Sequence, residues 1–240
     1  MTPAFSALEI TVSREVKAQP PSGLGWMPLQ SKSERAQAIP AYRFFLGESP
    51  DQTASEVMRT ALLSPTLSKP KNIALIGFMG CGKTSIGKAL AEKIGFIFKD
   101  TDDLIESQDG RTIPHIFKTD GENYFRKVEK AILTNELENN RGVVYGCGGG
   151  VVLDDDNKKT LITHSLPVWL YSTIETALKR IPTGTRPLLE GPNPAERARA
   201  LLDQRLIHYS QAAELIVNSE KSVETVVEKI YEEITKTFGD

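Results

Sequence analysis

Residues 77–84 read GFMGCGKT, a glycine followed after four residues by Gly82-Lys83-Thr84, and the fold is decided by what surrounds them. Residues 72–76 (NIALI) form a short apolar run of the kind that makes a buried strand, and Thr84 to Ile94 places Ile86, Leu90 and Ile94 at helical spacing. Strand, glycine loop and helix together make a P-loop, in which backbone N–H groups turn inward around a polyphosphate at the positive end of a helix. Gly80, Cys81, Gly82, Lys83, Thr84 and Ser85 are then the nucleotide-binding residues. Lys83 reaches the outer phosphates and Thr84 ligates Mg²⁺, with ATP or GTP as the implied ligand.

Composition narrows the field. A chain of 240 residues that is 40% hydrophobic and 25% charged can bury one full α/β domain with something to spare. Its net charge is −2 and no basic tract is present, so phosphate recognition has to be local and neither nucleic acid nor an anionic membrane is an expected partner. No apolar run approaches the length of a membrane span, and the first 30 residues lack the pattern of a secretory signal. Glu9, Glu15 and Glu34 argue against a transit peptide, and the two cysteines, Cys81 and Cys147, make no metal-ligand spacing with the three histidines, so a reducing cytoplasm and a monomer are expected. A guanine-specific Asn-Lys-x-Asp motif is absent, as is an Asp-x-x-Gly switch after the third strand, which sets a GTP-dependent switch aside.

Residues 1–70 read as an N-terminal extension and 71–240 as the P-loop domain. Prolines 3, 20, 21, 28, 40, 50, 65 and 70 crowd the extension, whose one periodic stretch, TASEVMRTALL at 53–63, predicts a short amphipathic helix. Beyond residue 72, strands and helices alternate. Phe96 to Lys99 is the second predicted strand and ends in Asp100, Thr101, Asp102 and Asp103. Two carboxylates two residues apart at a strand end share a face, so Asp100 can serve Mg²⁺ while Asp102 faces an acceptor; a helix cap is the competing reading. Glu122 to Leu137 predicts a helix on whose surface Arg126 and Glu129 can pair. Strands are predicted at 142–146, 167–171 and 214–218, and helices at 195–207 and 223–237, with Thr173 capping a helix that ends near Arg180. Gly148, Gly149 and Gly150 follow the third strand, where three successive glycines suit a backbone that must approach something closely. The Pro- and Gly-rich stretch 181–194 carries Arg186 and reads as a mobile lid.

From Asn72 to about Phe238 the sequence resembles the shikimate kinases. GFMGCGKT, DTDDLIE (100–106), IFKTDGENYFRKVE (116–129), the triple glycine, TRPLL (185–189) and a late helix with Arg205 and Tyr209 occur in the family's order. The resemblance implies a nucleoside-monophosphate-kinase-like P-loop fold with a five-stranded parallel sheet in the order 2-3-1-4-5, and transfer of the ATP γ-phosphate to the 3-hydroxyl of shikimate with Mg²⁺. It further implies catalytic roles for Lys83, Asp102 and Arg186, with Thr84 and Asp100 at the metal. Asp102, Arg126, Gly148, Gly149, Gly150 and Arg205 would hold the acceptor, Arg126 and Arg205 clamping its carboxylate and Glu129 fixing Arg126. Arg180 would stack on adenine beside Arg186 from the lid. The sequence departs from the family in having Ile207 in place of a proline, Cys147 in place of a small residue, and a lid about one residue short. A gluconate kinase is the alternative. Separately, GLGWMPLQ (23–30), AYRFFLG (41–47) and EVMRTAL (56–62) resemble the C-terminal end of shikimate dehydrogenases. Both thiols are expected to flank the phosphate site; helix dipole and Lys83 together would make Cys81 the more reactive, and the competing reading is that both cysteines are merely small buried residues.

Overall fold

A computed structural model describes residues 70–181, 187–189 and 193–238. The helix expected at 53–63, the dehydrogenase-like segments and Arg186 lie outside the described residues.

Five strands form one parallel sheet in the order β2-β3-β1-β4-β5, as expected. They are β1 (Asn72–Ile76), β2 (Ile97–Asp100), β3 (Val143–Gly146), β4 (Leu166–Tyr171) and β5 (Leu215–Asn218). The unbroken apolar run in β1 follows from burial on both faces: Ala74 and Ile76 join one core with Tyr145, Trp169 and Tyr209, while Ile73 and Leu75 join another with Ile86, Leu90 and Val168. Asn72, fully buried, ties the entry edge of the sheet by donating to Asn140 O and His164 O and accepting from Val143 N.

Helix α1 (Lys83–Ile94) leaves the P-loop and packs on α8 (Val223–Phe238) across one face. Between β2 and β3 the chain makes α2 (Thr101–Asp109), α3 (Ile113–Thr119) and α4 (Gly121–Asn139), which share a satellite core of Ile105, Ile116, Phe125 and Ile132. Next come α5 (Asp155–His164), α6 (Ile174–Arg180), capped by Thr173 as expected, and α7 (Pro194–Ala212). Helix α7 outruns the expected stop at Ile207, because isoleucine keeps the backbone N–H and lacks the ring with which proline interrupts a helix. Helices α3 and α5 had no counterpart in the sequence reading. Only Ile116 of α3 is buried, and α5 buries just Asn157 and Leu161, too few positions to make a period.

Candidate active site

The carboxyl ends of β1, β3 and β2, adjacent in the sheet, carry the P-loop, the Cys147–Gly150 turn and the Asp100–Asp102 turn, so one crevice receives all three. Within the P-loop, Gly80 sits at φ 78°, and a Cβ there would collide with the Ala177 carbonyl. Glycine is therefore needed twice over, for conformation and for space. Lys83 Nζ, at the start of α1, donates to Gly77 O at 2.8 Å and Phe78 O at 3.0 Å and so lies along the loop.

Asp100 answers both readings of its position. One carboxylate oxygen accepts from Asp102 N at 3.0 Å, capping α2, and the other accepts from Thr84 Oγ1 at 3.1 Å. The two aspartates reach the crevice because the strand turns at once into a helix, which corrects the expectation of a shared strand face: Asp102 already belongs to the first turn of α2. Thr84 and Asp100 offer oxygen donors side by side, which fits Mg²⁺, an ion that retains water and phosphate ligands and needs few from protein.

Two cavities meet here. Gly80, Gly82, Lys83, Thr84, Ser85, Asp100, Cys147 and Arg180 line the first. Arg126, Glu129, Gly150 and Arg205 line the second, with apolar walls from Ile113, Phe117, Phe125 and Leu188. Met79, Asp102, Gly148 and Gly149 line both, so Asp102 stands at the junction.

Arg126 is held from two sides. Its Nη1 donates to Glu129 at 2.6 Å, and its Nε and Nη2 donate to Glu122 Oε1 at 3.2 and 2.9 Å. The Arg126–Glu129 pair is no surface pair, since Glu129 is 2% exposed. Burial pushes the Glu129 carboxyl up, opposed by Arg126 and reinforced by nearby Asp102; its Oε1 has no hydrogen-bond partner. Burial works against the Arg126 charge too, yet Glu129 and Glu122 hold the guanidinium more firmly protonated than usual. Across the cavity, Arg205 is 3% exposed and donates to Gly149 O at 3.1 Å, a carbonyl that also accepts from Tyr209 OH at 2.5 Å.

None of the three glycines at 148–150 has a positive φ; what they share is proximity. A Cβ on Gly148 would press on Glu129 and Asp102, and one on Gly150 would run into the Arg126 guanidinium. Arg180, donating to Ser219 O at 3.1 Å, borders the P-loop cavity near Gly82. Cys81 follows the buried reading. Its side chain is fully buried in the core beneath the loop, with Ile73, Leu75 and Ile86, and it lines neither cavity. Cys147 does border the P-loop cavity, but it is 1% exposed and burial pushes its thiol far up, so Cys147 is not poised as a thiolate.

The sequence reading passed over Glu122, the apolar wall, and Thr101, whose hydroxyl accepts from Gly148 N at 3.0 Å and anchors the glycine turn. Glu122 sits one turn before Arg126, a spacing from which an ion pair could have been read.

The family model described as "Shikimate kinase" matches residues 79–235. The chain belongs to the shikimate kinase family. Among curated members, the shikimate kinase of Thermodesulfovibrio yellowstonii is 42% identical over 164 residues, covering 68% of this chain and 94% of the relative. That of Caldanaerobacter subterraneus subsp. tengcongensis is 41% identical over 172 residues, covering 70% and 99%. Among solved structures, the family member from Acinetobacter baumannii, in complex with shikimate, matches with a TM-score of 0.67 and 35% identity, over 72% of this chain and 97% of that one.

Proposed function

We propose that this chain transfers the γ-phosphate of ATP to the 3-hydroxyl of shikimate, giving shikimate 3-phosphate and ADP. The observation that carries the reading is the common wall of the two cavities: Asp102 faces a phosphate cradle on one side and, on the other, a pocket where Arg126, paired with Glu129, and Arg205 stand. Two guanidinium groups suit a planar carboxylate, and the apolar wall of Ile113, Phe117 and Phe125 suits a carbon ring. The relative from Acinetobacter baumannii, solved with shikimate, supports the same acceptor.

In this reading the loop backbone from Gly80 to Gly82, with Ser85, receives the phosphates, and Cys81 contributes only its backbone. Lys83 exchanges its loop carbonyls for phosphate oxygens. Thr84 and Asp100 hold Mg²⁺, which when bound neutralises charge on the transferring group. Asp102 orients the acceptor hydroxyl and takes its proton, while Gly148, Gly149 and Gly150 bring backbone up to the ring. Arg180 packs against the adenine, a role supported by its place beside Gly82, and Arg186 closes from the lid, a role that rests on the sequence. The reaction is proposed for a monomer in the cytoplasm. In support, the exposed large apolar residues among the described ones, Ile97, Tyr124 and Leu153, lie on separate elements. No helix of the described residues is long and apolar enough to cross a membrane.

The test is ADP release by the purified protein with Mg²⁺, offering shikimate, gluconate and nucleoside monophosphates separately. Release that requires shikimate is expected. Equal turnover with gluconate, or none with shikimate at millimolar levels, overturns the proposal.

A further inference from the structure

Helix α3 supplies Ile113 and Phe117 to the acceptor cavity, yet it is seven residues long and buries only Ile116. A helix that short has little stability of its own in water. It is joined to α2 and α4 by brief turns, so its position over the cavity must be fixed from outside.

A single side chain reaches both of its ends. Arg111, just before α3, donates Nε to Asp109 Oδ1 at 2.5 Å and Nη2 to Asp109 Oδ2 at 3.1 Å, a bidentate grip on the last residue of α2. Its Nη1 turns the other way and donates to Asp120 Oδ2 at 2.6 Å and Thr119 Oγ1 at 3.1 Å, where α3 gives way to α4. Tyr124, on α4, donates from its OH to Asp109 Oδ2 at 2.9 Å and lies under the guanidinium, 5.6 Å from ring centroid to Cζ. The pair held most firmly is the bidentate one, since the Asp109 side chain is 4% exposed, against 33% for Arg111 and 37% for Asp120. A lysine could not hold this ring, because one ammonium cannot grip Asp109 with two parallel bonds and reach Asp120 as well. Glu106 completes the mount by accepting from Ile113 N at 2.8 Å, which caps the start of α3 from α2. None of Arg111, Asp109 and Asp120 lines the cavity.

We propose that Arg111 is a positioning residue for the acceptor: by closing a ring through Asp109, Asp120 and Tyr124 it pins α3 at both ends and sets where Ile113 and Phe117 stand against the bound ring. This rests on the proposed reading of the cavity as the shikimate subsite. The P-loop lies outside the ring, so nucleotide binding is unaffected.

The experiment compares full-length wild type with R111A and R111K by steady-state kinetics and by hydrogen exchange of backbone amides. In R111A the KM for shikimate should rise by roughly three- to tenfold, with kcat and the KM for ATP within about twofold. The α3 amides should exchange faster, while those of α1 stay as protected as in wild type. R111K should fall between the two in both measurements. A shikimate KM that does not move, an equal rise in the KM for ATP, or α3 exchange at the wild-type rate would each overturn the proposal. If the wild type fails to phosphorylate shikimate, the substrate assignment falls by itself, and the α3 exchange rate still decides whether Arg111 pins the helix.

Discussion

At the scale of single residues, Glu129 holds a charge where burial disfavours one. Its carboxyl is raised from an ordinary value of 4.5, first by desolvation, so the folded protein binds its proton more tightly than the unfolded chain does. Between 4.5 and the raised value, the wild type therefore loses stability as pH rises. A glutamine at this position can still accept from Arg126 and does not titrate. The stability of Glu129→Gln relative to wild type should therefore improve as pH climbs through that window and level off above it, as read from urea midpoints at a series of pH values. A difference that is flat or falls with pH would mean that the Arg126 attraction, not burial, governs the group. The same variant should bind shikimate less well at neutral pH, since the arginine proposed to meet the carboxylate loses its buried counter-charge. Glu129 gives up stability to hold Arg126 in place.

At the scale of elements, the turn after β3 is where sequence and structure agree on the reason for a pattern. Three consecutive glycines were legible as close approach, and the positions differ in what they approach: Gly150 abuts the Arg126 guanidinium, whereas a Cβ on Gly149 meets nothing nearer than 3.4 Å, at Arg205 Nη1. Gly150→Ala should consequently displace Arg126 and raise the KM for shikimate by about tenfold or more, with the KM for ATP little changed, and Gly149→Ala should do considerably less. If both variants behave alike, the turn is needed for its flexibility and not for space. The strands and the P-loop were legible for a similar reason, because a buried parallel strand leaves an apolar run and the loop chemistry leaves fixed residue types at fixed spacing. What escaped depended on contacts distant in sequence. The apolar wall from α3 follows from the satellite core under Ile116, which leaves no local pattern.

At the scale of the whole molecule, the described residues divide into a sheet with an apolar core on each face and a smaller satellite core beside the cavity proposed for the acceptor. The sheet begins at Asn72, and its edge is closed by Lys71 O accepting from Gly142 N at 2.8 Å, so the backbone is committed to the fold from Lys71 onward. Every described residue lining the two cavities falls between Met79 and Arg205. The family model begins at residue 79 and the relative from Caldanaerobacter subterraneus subsp. tengcongensis is covered over 99% of its length by 70% of this chain, so relatives of this family manage without a counterpart to most of residues 1–70. We therefore expect a protein starting at Lys69, which retains the Lys71 and Asn72 contacts, to keep kcat and both KM values within about threefold of the full chain and to unfold in a single cooperative transition. A truncated protein that folds but has lost activity would mean that the N-terminal extension contributes to the site. One that fails to fold would mean instead that the extension completes the core. Circular dichroism and the kinetic assay, run on the same sample, separate the two.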